Sequence, residues 1–308
     1  MTSYRTQNAI ANDEIDIGGL FAAIWQGKWI IIATTLVFTV SAVFYASSLP
    51  DIYKSEVTLA PVAGQGGVQL PGQLGGLAAL AGVNLGGAGG GDKTGLALEI
   101  LKSRDFISRF IEQNDLYVPI VAARGWDRSN NTLLLATDIY DVKSKQWVRK
   151  VTAPFQPKPS NQEAFEEFEG LFAVSHDKTS GMVRMSLEHF SPYLAKEWLD
   201  ILVKAINEEM RQRELTEAEK SIAYLNSQIA QTNLADVRTM LFSLIEEQTK
   251  TLMLANVREE FVFKTIDPAV VAERKSEPKR TLIIILALML GSVLSSLLVL
   301  VIYFSKKK

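Results

Sequence analysis

Three groups of residues have the types and spacing that could do chemistry. The first is Gly86–Thr94, GGAGGGDKT, close to the spacing G-x-x-x-x-G-K-[ST]. That spacing works because the N–H groups of a glycine loop surround phosphate oxygens while the lysine neutralises them. Here Asp92 intrudes between Gly91 and Lys93 and sets a negative charge beside the would-be phosphate. No buried strand leads into the loop, so nucleotide binding is rejected. The second group is His176 and His189, which flank a turn and could meet across a strand pair. Two histidines make a poor metal site, and no cysteine exists to complete one. They are expected to be solvated strand residues. The third is Glu166, Glu167 and Glu169, an apparent acid–base cluster. Helical geometry spreads them around a surface. The sequence therefore predicts no catalytic residue, no cofactor and no metal, and the protein is expected not to be an enzyme.

The elements around these residues are more informative. Residues 281–304, TLIIILALMLGSVLSSLLVLVIYF, carry no charge, with Lys279 and Arg280 before them and Lys306, Lys307 and Lys308 after. A helix of that length rises roughly 36 Å, enough to cross a hydrocarbon core of ~30 Å. Residues 29–49, WIIIATTLVFTVSAVFYASSL, form a second uncharged run. A cleaved signal peptide would have a shorter leader and a shorter apolar part. Two transmembrane helices thus bracket the chain, and both tails share one face. The tails are residues 1–28, with an amphipathic juxtamembrane stretch from Ile15 to Trp25, and residues 305–308. Lysine and arginine are nearly balanced across the spans: Arg5, Lys28 and the last three lysines against Arg274, Lys275, Lys279 and Arg280.

The chain has 308 residues, a formal net charge of −2 and a pI near 5.9. This balance argues against nucleic-acid binding, which needs a basic surface. Absence of cysteine means that no disulfide supports the fold. Residues 50–280 are long enough for one substantial domain.

Within that domain Tyr53–Ala60 alternates as a strand. Pro61 to Gly95 is rich in glycine and small apolar residues, a loop that packs against something, neighbouring copies included. Thr94 is placed to cap a helix from Gly95 to about Asn114. A short helix is expected over Leu116–Gly125, then irregular chain over 126–160 anchored by Trp126, Tyr140 and Trp147. Ser160 and Glu163 form a capping box. Leu171–His176 and Met182–His189 form a hairpin across a Gly-bearing turn. Ser191 and Pro192 open a helix to about Gln231. Leu194, Trp198, Ile201 and Ala205, then Leu215, Ala218, Ile222, Leu225 and Ile229, mark a coiled-coil seam. Leu234, Val237, Leu241, Leu244, Gln248 and Leu252 carry the seam back to about Arg258, and Phe261–Ile266 reads as a strand. The fold class is α+β: a mixed sheet base with a long antiparallel helical projection, the hairpin 192–258, between two transmembrane helices.

In this order the segments resemble the Wzz-type chain-length determinants, the polysaccharide co-polymerases of Gram-negative inner membranes. The resemblance rests on IDIGGL and IWQGKWI within Ile15–Ile30, on GGLAALAGVNLGGAGGGDKT, and on LALEILKSRDF at Leu96–Phe106. It rests further on SIAYLNSQIAQT at Ser221–Thr232, LIEEQTKTLMLANVREEFVFKTIDPA at Leu244–Ala269, and the entry motif Glu277, Pro278, Lys279 and Arg280. Where the family often has more prolines before the second span, this chain has Val271, Ala272 and Glu273. The resemblance implies an inner-membrane protein with both termini cytoplasmic and the main domain periplasmic. It implies a ring-like homo-oligomer that sets O-antigen length with a Wzy-type polymerase and the growing lipid-linked polysaccharide. Capsule-type relatives add a cytoplasmic tyrosine kinase. This chain stops at Lys308 and is expected to lack that activity.

Length control would then come from geometry. Gly291 and Ser295, with Ala42 and Ala46 in the first span, are small residues through which the spans could pack on each other or on the polymerase; they could equally face lipid. Two other readings stay open. One is a capsule or exopolysaccharide export adaptor working with a separate tyrosine kinase. The other is a membrane-tethered sensor.

Overall fold

A computed structural model describes residues 25–62 and 91–306. The amphipathic stretch before Trp25 and the glycine-rich residues 63–90 lie outside the described residues. The chain divides into two units, residues 1–50 with 277–308, and residues 51–276.

The first unit holds helix α1 (Lys28–Ser48) and a second apolar helix, Arg280–Lys306, which is α7 in chain order. Both are long and apolar enough to cross a membrane. Helix α1 ends because Leu49, facing Pro50, takes an extended conformation with ψ 135°, and the proline ring disfavours a helical predecessor.

The second unit is built on a four-stranded sheet. After β1 (Tyr53–Pro61) come helices α2 (Gly91–Lys102) and α3 (Arg104–Gln113). Two small hairpins follow, β2 (Ala123–Asp127) with β3 (Thr132–Leu135), and β4 (Tyr140–Asp141) with β5 (Gln146–Trp147). Helix α4 (Asn161–Leu171), β6 (Phe172–His176), β7 (Val183–His189), α5 (Pro192–Gln231), α6 (Ala235–Val257) and β8 (Phe263–Asp267) complete the unit. The sheet order is β6-β7-β1-β8. The class is α+β, and every pairing in this sheet is antiparallel rather than mixed. The reason is the connectivity: β6 and β7 form a hairpin, and the helical hairpin returns β8 alongside β1.

One face of the sheet makes the core. Val57, Leu59, Met185 and Leu187 are fully buried, as are Ala195, Leu199, Leu202 and Ile206 of α5. Phe106, Ile107, Phe110 and Ile111 of α3 close the core, with Phe110 and Phe168 ring centroids 5.7 Å apart. The capping box of Ser160 and Glu163 is present in both directions and opens α4.

Four local expectations are corrected. The helix predicted from Gly95 to Asn114 is two helices, because Ser103 turns extended and accepts the Phe106 N–H, capping α3. Thr94 lies inside α2 rather than at its start. Within Leu116–Gly125 only Val118–Ala122 is helical, a single wide turn, and the chain then pairs as β2. The irregular stretch 126–160 contains paired strands, stapled by Tyr140 and Trp147 with centroids 5.2 Å apart.

Candidate functional site

The chemistry-bearing groups are scattered. His176 ends β6 opposite Val183, whereas His189 ends β7 opposite Tyr53. Some six residues of strand separate the two positions, roughly 20 Å. His189 is not a solvated residue. It is buried against Trp198, with ring centroids 4.8 Å apart. The Ser191 N–H donates to its Nδ1 at 3.1 Å, so Nε2 carries the proton and donates to the Pro119 carbonyl at 3.0 Å. Burial pushes the imidazole below its ordinary value, and the two hydrogen bonds offset this only in part.

Glu166, Glu167 and Glu169 are exposed on α4. Lys93, the lysine of the phosphate-like motif, pairs with Glu214 at 2.9 Å and lies 5.8 Å from the Phe261 ring centroid. Among the described residues no cluster of three or more His, Cys, Asp or Glu is placed to hold a metal ion.

Two other places concentrate organisation. The first is the contact between the spans. A Cβ on Gly291 would lie 3.0 Å from Phe38 Cβ and 3.5 Å from Thr35 Cα, so α1 approaches here as closely as a glycine allows. One turn on, the buried Ser295 hydroxyl is 3.3 Å from that of Thr35. Near the tail side Gly27 does the same work: a Cβ there would sit 2.3 Å from a Val299 methyl. Ala46 is buried and Ala42 half-buried on the same helix. At the far end Arg280 donates to the carbonyls of Ala46 at 2.9 Å and Leu49 at 3.1 Å. It thereby caps carbonyls that the end of α1 leaves unpaired. Pro278 accepts from the Arg280 N–H at 2.8 Å, and Lys279 is bound through its N–H to Glu277. The sequence signals neither Gly27 nor Thr35 beyond a glycine standing before the charge-free run.

The second is the root of the helical hairpin. Asn207 is buried on α5, at the start of the polar stretch Asn207–Glu214. Its Oδ1 accepts the N–H groups of Phe261, Val262 and Phe263 at 2.8–3.0 Å, and its Nδ2 donates to the carbonyls of Phe263 and Val203. One amide thus ties the outgoing helix to the returning chain. An ion network stands beside it: Arg109 pairs with Glu209 at 3.1 Å, and Arg213 with Glu209 at 2.7 Å. Burial raises the Glu209 carboxyl, and the hydrogen bonds from Arg109 and Arg213 outweigh it, leaving it below the ordinary value.

Beyond Asn207 the hairpin thins out. On α5 only Met210 and Ala218 are buried past that point, and on α6 only Ala255. The seam is half-buried at Leu215, Ile222, Leu225 and Ile229 and at Val237, Leu241, Gln248 and Leu252. Leu234 and Leu244 are exposed instead, and Ile245 takes the half-buried place. Leu234 stands outside the helix as its N-cap, and a step of four from Leu241 favours Ile245.

The chain length determinant protein model, Wzz, matches residues 13–114. That range carries the first span, β1 and helices α2 and α3. Over about a third of its length the chain is thus similar to the Wzz chain length determinants. A second model, GNVR, whose description is of a G-rich domain on tyrosine kinases, matches residues 230–304. It carries the return leg α6, β8 and most of α7, so the Wzz and GNVR matches take up the two ends of one architecture. No curated protein matches the chain in sequence. Among solved structures it is similar to a full-length bacterial polysaccharide co-polymerase at 14% identity, covering 96% of this chain and 99% of that one, with a TM-score of 0.38. It is also similar to a fragment of WzzB, a polysaccharide co-polymerase from Salmonella Typhimurium, at 12% identity, covering 74% and 100%, with a TM-score of 0.31. Overlap at that level leaves the functional reading to the residues and the family. The chain sets a central domain between two helices long and apolar enough to cross a membrane, and its first third matches the model of the chain length determinant proteins.

Proposed function

We propose that this protein sets the length of O-antigen on lipopolysaccharide without making or breaking bonds itself. It works as a ring-like homo-oligomer with a Wzy-type polymerase acting on the lipid-linked polysaccharide. It sits in the bacterial inner membrane with both termini cytoplasmic and residues 51–276 periplasmic. Tight packing of the spans at Gly291 and Ser295 supports a role for them in holding the two ends together, and Pro278, Lys279 and Arg280 fix the second entry point. The observation that carries the reading is the Wzz match over residues 13–114, which spans the first anchor and the first strand of the domain. The test is deletion of the gene followed by complementation, read on a lipopolysaccharide gel. Loss of the modal band, restored by the complementing copy, supports the reading; an unchanged ladder sinks it.

The GNVR match favours one second reading, an adaptor for capsule or exopolysaccharide export working with a separate tyrosine kinase. Loss of capsule with an intact O-antigen ladder would select it.

A further inference from the structure

The chain enters and leaves the 51–276 unit at one edge. The Ser276 N–H donates to the Ile52 carbonyl at 2.8 Å and its hydroxyl to the same oxygen at 3.1 Å. Lys275 pairs with Asp51 at 3.0 Å beside them. Ile52 follows the end of α1, Ser48, by four residues, and Ser276 precedes the start of α7, Arg280, by four. Such lengths of chain reach at most about 14 Å each. Covalent geometry therefore keeps Ile52 and Ser276 within that reach of the two helix ends, whatever path the linkers take.

At that edge stands a group of aromatic rings drawn from three elements. Tyr53 opens β1, Trp126 lies in β2, and Tyr193 is in the first turn of α5. Tyr53 meets Trp126 edge-on with centroids 5.7 Å apart, and Trp126 meets Tyr193 at 6.0 Å. Tyr193 is 50% exposed, and Leu134, on the partner strand of Trp126, is 54% exposed. Arg124 and Arg128 are exposed on the same small hairpin. Tryptophan and tyrosine favour the depth where one end of the ring is wet and the other apolar. Guanidinium groups match phosphate in geometry as well as charge.

We propose that Trp126 and Tyr193, with Tyr53 behind them, form an interfacial anchor that seats this edge of the domain in the lipid headgroup layer, with Arg124 and Arg128 toward the phosphates. The proposal needs the spans to cross the bilayer and does not depend on what the domain regulates.

The full chain has no cysteine, so Ser129→Cys places a single environment-sensitive dye at the tip of the β2–β3 hairpin. Ser180→Cys places the same dye at the turn beyond the opposite end of β7. Both proteins are reconstituted in phospholipid nanodiscs with and without a headgroup nitroxide. The label at 129 should lose at least half of its emission to the nitroxide and the label at 180 little. Trp126→Ala with Tyr193→Ala should bring quenching at 129 down to that at 180. Tyr193→Ser alone, at an exposed position that the fold tolerates, should reduce it about halfway. Equal quenching at 129 and 180 in the native background overturns the proposal, as does quenching at 129 that neither variant changes. A label at 129 untouched by lipid but responsive to added polysaccharide also overturns it, and assigns the rings to a glycan. An unchanged O-antigen ladder in the deletion strain would end the length-control reading and leave this result standing.

Discussion

The side-chain oxygen of Asn207 accepts the Val262 N–H at 2.8 Å, across 55 residues of sequence. It does the same for the two neighbouring N–H groups. Replacement by leucine would strand two buried donors, the half-buried Phe261 N–H and the Phe263 carbonyl. Each such group costs ~1–3 kcal/mol, partly relieved by local shifts. Asn207→Leu is expected to lower the melting temperature by on the order of 10 °C, read by near-ultraviolet circular dichroism of the full chain in detergent. Asn207→Asp keeps the acceptor and loses the donor, so its drop should be smaller. Equal drops would refute the clasp.

Between the spans, Gly291→Leu would drive a side chain into Phe38 and Thr35. The helices must separate or rotate. Ser295→Ala removes the contact with Thr35 and the hydroxyl's bond to the Ser292 carbonyl within its own helix, and the interhelical bond is worth about 0.6 kcal/mol in membranes. Disulfide trapping between cysteines placed at 35 and 295 in the otherwise cysteine-free chain should succeed in the native background and fail in Gly291→Leu. The leucine variant should also shift the lipopolysaccharide banding. Trapping unaffected by leucine would remove this interface.

His189 gives the domain a pH dependence of fixed sign. Its native form is neutral and its native value depressed. Above the unfolded value, about 6.5, neither state is protonated and the contribution is fully present. Below it the unfolded chain takes up a proton that the folded chain resists, so stability falls as pH falls. Chemical denaturation at pH 7.5 and 5.5 should show a loss at the lower pH that His189→Gln abolishes. The depressed carboxyls of Glu163 and Glu209 act at lower pH; they too lose stabilisation as pH falls, but only below about 4.5.

If the hairpin acts through its reach, removing one heptad from each leg beyond Ala218 shortens it by roughly 10 Å while keeping the seam in phase. The modal O-antigen length is expected to move while expression and melting temperature hold. An unmoved mode would separate hairpin length from length control.

The parts legible in the sequence share one property: their signal is local and repeated. The charge-free runs at 29–49 and 281–304, the long heptad helix opened by Ser191 and Pro192, and the Ser160–Glu163 capping box all declare themselves within a few residues. The break at Ser103 is hidden in the sequence because helical periodicity continues on both sides of it, and one serine interrupts the pattern without breaking the count. The β2–β3 pairing, four residues long on its shorter strand, is too brief for alternation to show. Asn207 reads as one more polar residue in a polar stretch, because its partners lie over 50 positions away. Burial of His189 depends on Trp198 and Pro119 arriving from other elements. The same holds at the span contact: small residues are visible as letters, but Phe38 and Thr35 as their counterparts are not.

The double hydrogen bond from Ser276 to Ile52 has a practical corollary. A polypeptide whose ends already touch gives up little entropy when those ends are spliced. Residues 51–276 should therefore accept head-to-tail cyclisation, or new termini cut at the exposed Asp177–Gly181 turn, with the sheet register intact.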